Sequence, residues 1–280
     1  MITAVPGVRV GHWTAPGGRT GCTVALLPEG TVASGEIRGG APASREFALL
    51  EPHRTVARLD AVVLAGGSAF GLAAADGVMA WCEERGIGFP SSAGPVPIVV
   101  GMAVFDLGEA DGDERPHRGA GLQACVAATD GAVELGRVGA GAGCTVRKWQ
   151  GRDGSRPGGL AGAAVEREGV VVAALLAVNA VGDLPVEGEL RVPAPPETAF
   201  AQNSTVGLVV TNGRLSKVDC LNAAQAGHDG LARALDPAHT GGDGDALVVA
   251  ATGAVEADPA AVRQLAAVVV DQAIRALLNP

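Results

Sequence analysis

The sequence has no tyrosine, and aromatic residues make up only 3% of its 280 positions. Single-stranded nucleic acid is gripped by stacking bases on aromatic rings, so that mode of binding has no platform here. Positive charge is scarce as well: 21 Lys and Arg stand against 30 Asp and Glu, for a formal net charge of −9. Without basic runs, neither nucleic acid nor an anionic membrane surface is an expected partner. No apolar stretch is long and unbroken enough to span a bilayer. The N-terminus, Met1-Ile2-Thr3-Ala4-Val5-Pro6-Gly7, lacks the basic flank and apolar run of a secretory signal, which predicts a cytoplasmic protein. The five cysteines (Cys22, Cys82, Cys125, Cys144, Cys220) are odd in number, widely spaced and without a C-x-x-C pair. Reduced, mostly buried thiols are expected, not a disulfide framework.

What is abundant is apolar and small. With 48% hydrophobic residues and 42 glycines, the chain suits one compact globular unit, and no composition shift marks a domain boundary. Runs of β-branched residues predict strands over 7–12, 22–27 and 31–37, the edge of a sheet, and a buried strand over 61–65. That last strand ends at Gly66-Gly67-Ser68, and a helix capped by Ser68 is expected to bury Phe70, Ala73, Ala74, Gly77, Val78 and Trp81. Strands over 96–100 and 103–107 lead to an acidic loop at 109–118 and an alanine-rich helix around 121–134. Residues 136–162 are dense in glycine, which predicts close backbone approach, and include a polar insert at 149–156. Two strands flank Glu166-Arg167-Glu168-Gly169, the second ending on Asn179. After a proline-rich segment at 187–198 come a strand over 204–211, a turn at Asn212-Gly213 and a helix over 216–235. A buried strand over 246–251 and a helix opening at Asp258-Pro259 complete the chain. This alternation predicts layered sheets covered by helices.

Several stretches could carry chemistry. Gly66-Gly67-Ser68-Ala69-Phe70-Gly71 matches neither G-x-S-x-G nor a P-loop and reads as a turn with a helix cap. Gly139-x-Gly141-x-Gly143 fails the dinucleotide fingerprint because Cys144 stands where its third glycine belongs, so no cofactor is expected. His228, Asp229, His239, Asp243 and Asp245 lack the spacing of a zinc or calcium site, and no metal is expected. Asn203-Ser204-Thr205 is either a polar start to a strand or a point where a cut leaves Ser204 as a new N-terminus. In the second case its own α-amine could take the hydroxyl proton. Asp243-Gly244-Asp245 is either a solvated turn or a pair of carboxylates holding a cationic amine. Asn179 either terminates a strand or offers an amide to a developing oxyanion, and Lys148 taken alone reads as an exposed side chain.

Taken together the motifs resemble one family. Arg38-Gly39-Gly40-Ala41-Pro42, Leu64-Ala65-Gly66-Gly67-Ser68-Ala69-Phe70-Gly71-Leu72, Val96-Pro97-Ile98-Val99 and Phe105-Asp106-Leu107 open the series. Val178-Asn179-Ala180-Val181-Gly182-Asp183, Asn203-Ser204-Thr205-Val206-Gly207, His228-Asp229-Gly230-Leu231-Ala232-Arg233 and His239-Thr240-Gly241-Gly242-Asp243-Gly244-Asp245 continue it in order. Through nearly its whole length the chain resembles the P1 peptidases, which comprise the DmpA-type aminopeptidases, the β-peptidyl aminopeptidases and the nylon-oligomer endo-hydrolases.

That resemblance implies a four-layer αββα sandwich similar to N-terminal-nucleophile hydrolases, and a precursor that cuts itself between Asn203 and Ser204. The products would be an α fragment, 1–203, and a β fragment, 204–280, that stay together. It further implies that Ser204 is nucleophile and, through its amine, base. Asn179 matches the oxyanion asparagine, Lys148 a lysine beside it, and Asp243 and Asp245 two residues that orient the nucleophile and its amine. The implied substrate is a small amino-terminated peptide, amide or ester, and the implied assembly a tetramer of αβ pairs, with no metal or cofactor. The Asp-Gly-Asp pair is as in the nylon-oligomer hydrolases, but the nucleophile is Ser and not Thr, and the tyrosine that some members place near the site is missing. An endo-hydrolase of ω-amino-acid oligoamides is therefore the nearest alternative. Ornithine acetyltransferase shares this kind of fold, but its K-G-x-G-M and A-T-M-L blocks are not found here.

Overall fold

A computed structural model of the chain describes residues 1–109, 114–149, 151–192 and 203–279. The acidic loop at 109–118, the insert at 149–156 and the proline-rich segment at 187–198 fall partly outside the described residues. β1 (Arg9–Thr14) and β2 (Gly21–Leu26) form an antiparallel pair, β3 (Val32–Ile37) departs to a second sheet, and β4 (Ala43–Arg45) returns to the first. β5 (Ala61–Ala65) runs into α1 (Ser68–Gly71) and α2 (Ala74–Glu83). A ribbon of β6 (Phe89–Ser91) and β7 (Gly94–Val96) precedes β8 (Val99–Ala103) and α3 (Arg118–Ala127). β9 (Thr145–Val146) pairs with β10 (Arg156–Pro157), and then come the long strands β11 (Gly159–Arg167), β12 (Val170–Asn179) and β13 (Ser204–Gly213). α4 (Lys217–Ala234), β14 (Ala246–Val255) and α5 (Pro259–Leu278) finish the chain.

The main strands make two five-stranded sheets, ordered β1-β2-β5-β8-β4 and β11-β12-β13-β14-β3. Each is antiparallel except for one parallel pair, β5 with β8 and β13 with β14. Strand periodicity sorts their side chains into layers. Val206, Leu208 and Val210 of β13 and Ala173, Leu175 and Ala177 of β12 meet Val62 and Leu64 of β5 and Val100 of β8 between the sheets. The alternate residues Val172, Ala174, Leu176 and Val209 pack under α4 and α5, with Leu231, Val269 and Ile274. On the far side, Ala61, Val63 and Ala65 of β5 pack under α2 and α3, with Val78, Trp81 and Ala124. Helix, sheet, sheet and helix thus form the expected four-layer αββα sandwich.

Local departures have local causes. The helix expected to run on from Ser68 is broken into α1 and α2, Phe70 is 58% exposed, and Ala73 also faces solvent. Ser68 is no cap: it adopts a left-handed φ of 52° after Gly67, and no side-chain hydrogen bond caps α1. The two runs expected as strands at 96–100 and 103–107 contribute the end of β7 and the strand β8, and the alanine-rich helix occupies 118–127, earlier than expected. Asn212-Gly213 continues β13 through a register shift instead of turning, because the Asn212 carboxamide accepts the Val171 N–H at 2.8 Å from the neighbouring strand. All five cysteines are free and buried. Burial pushes the thiols of Cys22, Cys125 and Cys220 up to about 12 and that of Cys82 to about 11, which keeps them from serving as nucleophiles. Among the described residues no helix is long and apolar enough to cross a membrane.

Candidate active site

The antiparallel register of β12 and β13 sets Asn179 directly opposite Ser204. By strand alternation Ser204 shares a face with Val206 and Leu208, and Asn179 with Ala177 and Leu175. Both polar side chains therefore point into the end of the inter-sheet layer. They are sealed there: Ser204 is 3% exposed, Asn203 6% and Asn179 fully buried. The peptide joining Asn203 to Ser204 is held from two sides. The Gly244 N–H donates to the Asn203 carbonyl at 2.9 Å, and the Ser204 hydroxyl donates to the same oxygen. Gly244 has no room for a side chain, since a Cβ there would lie 2.7 Å from Ser204 Oγ and 2.6 Å from the Ala41 carbonyl.

The Asn179 carboxamide is oriented by unambiguous partners. Its Oδ1 accepts from the Thr145 N–H and from Lys148 Nζ, each at 2.9 Å, so its Nδ2 faces the Phe105 carbonyl and donates to it at 2.9 Å. Lys148 is not the exposed side chain that it resembles in isolation. It is 7% exposed, and burial lowers its pKa to about 7.

The Asp243-Gly244-Asp245 segment is likewise buried and not a solvated turn, each aspartate being 1% exposed. Asp245 Oδ1 accepts the Thr205 N–H at 2.6 Å, and its Oδ2 accepts from the His239 backbone N–H at 3.1 Å and from His239 Nδ1 at 2.8 Å. Asp243 Oδ1 accepts the Val181 N–H at 3.1 Å, and its Oδ2 accepts from the Thr240 N–H at 3.0 Å and the Thr240 hydroxyl at 2.6 Å. Burial, reinforced by the neighbouring Asp245 charge, pushes the Asp243 carboxyl up to about 6. The segment is roofed by residues 38–41, whose Arg38 and Ala41 N–H groups donate to the Asp245 and Asp243 carbonyls at 2.9 and 2.8 Å. Gly39 permits this approach, because a Cβ there would lie 2.2 Å from the Asp243 carbonyl oxygen.

Ser204, Asn203, Asn179, Lys148, Asp243 and Asp245 are thus brought together from four separate stretches of chain. The side chains weighed as metal ligands are otherwise engaged: Asp229 is exposed and paired with Arg38 at 3.1 Å, and His228 Nε2 bonds the Glu36 carbonyl at 3.0 Å. Among the described residues no group of three or more His, Cys, Asp and Glu converges as a metal site. Sequence reasoning missed the roles of Thr240, Thr145 and Phe105. Thr240 was detectable in principle, since a threonine three residues before Asp243 is a common local bonding pattern. Thr145 and Phe105 act through backbone groups and leave no side-chain signal.

A second serine follows a strand in similar company. Gly66-Gly67-Ser68 wraps the fully buried Asp106, whose Oδ1 accepts the Gly67 N–H at 2.6 Å and whose pKa is pushed up by burial. Ser68 itself is only half-buried.

The whole sandwich superposes on a solved structure described as an L-aminopeptidase D-Ala-esterase/amidase from Ochrobactrum anthropi, a variant of the Ntn-hydrolase fold, with TM-score 0.75 and 20% identity. The match covers 98% of this chain and 84% of that one, so the class is an Ntn-hydrolase-type fold. The sequence profile of peptidase family S58 matches residues 1–279, and the chain belongs to that family of peptide- and amide-bond hydrolases. It is 43% identical to an uncharacterized aminopeptidase of Mycobacterium leprae over 91% of this chain and 79% of that protein. It is also 29% identical to a 6-aminohexanoate-oligomer endohydrolase of Kocuria sp., over 90% and 74% of the respective lengths.

Proposed function

We propose that the chain is a self-cleaving aminopeptidase in which Ser204 first cuts its own precursor and then, as a new N-terminus, hydrolyses amino-terminated peptides, amides or esters. The observation that carries this reading is the peptide bond before Ser204, buried and held by the Gly244 N–H with the serine hydroxyl against its carbonyl.

In the precursor, Ser204 Oγ attacks the Asn203 carbonyl carbon, the C–N bond breaks to give an ester and a free α-amine, and water hydrolyses the ester. The Gly244 N–H already lies on the oxygen that becomes the oxyanion. Asn179, fixed by Thr145 and Lys148, adds its carboxamide, and removal of one such donor typically costs about 3–4 kcal/mol. In the mature enzyme the freed amine takes the hydroxyl proton as Ser204 attacks the substrate, then returns a proton to the leaving group. Asp245 holds the Thr205 N–H next to Ser204 and Asp243 lies alongside Asn203, so both carboxylates favour the cationic form of that amine, which sets activity toward neutral and alkaline pH. The same acidic character suits a substrate with a free amino terminus, as do the relatives named aminopeptidases. Endo-hydrolysis of 6-aminohexanoate oligomers is the second reading, supported by the Asp-Gly-Asp pair and by the Kocuria relative.

Intact mass under denaturing conditions tests the first step. The 27.7 kDa chain should give fragments of about 20 and about 8 kDa, in proportion to length, the smaller beginning at Ser204. A stable uncut chain that is inert toward amides and esters would overturn the proposal. Release of single N-terminal residues from short peptides, against internal cuts in 6-aminohexanoate oligomers, separates the two substrate readings.

A further inference from the structure

His239 is not among the groups that act on the reacting atoms in the mechanism above, yet its surroundings are unusually determined. It adopts a left-handed φ of 55°, which side-chain-bearing residues keep only where their contacts over-determine it. Its ring Nδ1 meets Asp245 Oδ2 at 2.8 Å, and its Nε2 meets the His228 carbonyl oxygen at 3.4 Å. Both partners are acceptors only. A neutral imidazole has one N–H and one lone pair and would set that lone pair against one of these oxygens, whereas an imidazolium donates to both.

The groups facing His239 define its charge balance. Asp245 comes from its own loop, and its hydrogen bond and charge raise the His239 pKa even though burial alone would lower it. His228, from α4, packs edge-on with ring centroids 4.9 Å apart. Burial depresses His228 to about 4, so at neutral pH it adds no charge. Arg38, from the stretch after β3, is the other nearby cation and is itself paired with Glu36 and Asp229. The oxygen of Asp245 not held by His239 accepts the Thr205 N–H at 2.6 Å, one residue beyond Ser204.

We infer that His239 is a positioning residue which, as an imidazolium, clamps Asp245 in the orientation that grips the Thr205 N–H and so fixes the backbone of Ser204. The inference rests on Ser204 being the nucleophile. Losing the ring proton removes one donor and leaves the Asp245 charge uncompensated beside the Ser204 amine, which strengthens that amine's hold on its proton and weakens it as a base at a given pH. The advantage of wild type over an uncharged replacement is therefore greatest where the ring is protonated.

The test compares the full-length chain with His239→Gln, which keeps an N–H donor but no charge, and with His239→Ala. Hydrolysis of L-alanine p-nitroanilide is followed from pH 5.5 to 9, with Tm as a folding control. We expect the ratio of wild-type to His239→Gln kcat to be about tenfold at pH 6 and to fall toward unity as pH rises through the ring's ionisation, with KM little changed. His239→Ala should lose more across the whole range. A ratio that stays constant with pH overturns the inference, because a purely structural role carries no such ionisation. Independently, nitrogen-15 NMR of the histidine rings in Ser204→Ala should show both nitrogens of His239 protonated at pH 6.5, and a neutral ring there also overturns it. An active Ser204→Ala enzyme would defeat the nucleophile assignment instead, while the NMR result would still decide the state of His239.

Discussion

Two serines of this chain sit near strand ends beside buried carboxylates, and oriented polar groups converge on only one of them. At Ser68 the serine follows a double glycine in a left-handed turn, and Asp106 is spent on holding that turn through the Gly67 N–H. At Ser204 the serine opens a ten-residue core strand, opposite Asn179, with Gly244 against its hydroxyl. The first lies at a glycine-rich strand-to-helix junction, a place where a nucleophile can sit, but it matches no nucleophile motif and reads as a turn. The second gathers oriented polar groups from β12, the segment after β9 and the loop before β14. A candidate nucleophile is better recognised by the groups that converge on it than by the turn on which it sits.

The sharpest way to break this contrast is to delete each hydroxyl in turn. Ser204→Ala should leave a single 27.7 kDa species and lower turnover by at least about 10⁴-fold. Ser68→Ala should still cut itself, with a rate within about twofold of wild type. Next in size is Asn179→Ala, which should slow both self-cleavage and turnover about 10²–10³-fold, measured by intact mass against time and by kcat. Gly244→Ala should cost about a hundredfold in the same assays, since its Cβ would lie within 2.7 Å of the Ser204 hydroxyl oxygen and must displace it.

The smallest expected effect concerns stability. The folded-state pKa of Lys148 is depressed to about 7 from an ordinary value of 10.5. Its contribution to stability is therefore fully present above 10.5 and is lost as pH falls through about 7. On a Ser204→Ala background, which keeps the chain whole, the Tm of Lys148→Met relative to Lys148 should be more favourable at pH 6 than at pH 10. A difference that does not change with pH would remove Lys148 from the set of buried, titrating groups.

Much of the fold was legible because its signals are local. β5, β12 and β13 announce themselves as apolar β-branched runs, and Ser216 with Asp219 forms the capping box that starts α4. The failures have long-range causes. Asp106 pins the Gly67 turn that enters α1 from 39 residues further on, and Asn212 is kept in its strand by a neighbour 41 residues away. The same split runs through the candidate site. Ser204, Asn179 and the aspartates stand out as motifs, but nothing local shows that Lys148 and the Asp243-Gly244-Asp245 segment are buried. What buries the aspartate segment is the stretch 38–41, some two hundred positions earlier in the chain.

The bond between Asn203 and Ser204 lies inside the folded molecule, with both residues almost wholly screened from solvent. An outside protease would have to unfold β13 to bind an extended segment there, which fits the proposal that a cut at this position comes from the chain's own groups. Maturation by that route is first-order: its half-life does not change on dilution, and it begins only once the sandwich has closed. Under the proposed mechanism such activation acts as a folding checkpoint, since a misassembled chain would not acquire the amine on which the proposed chemistry depends.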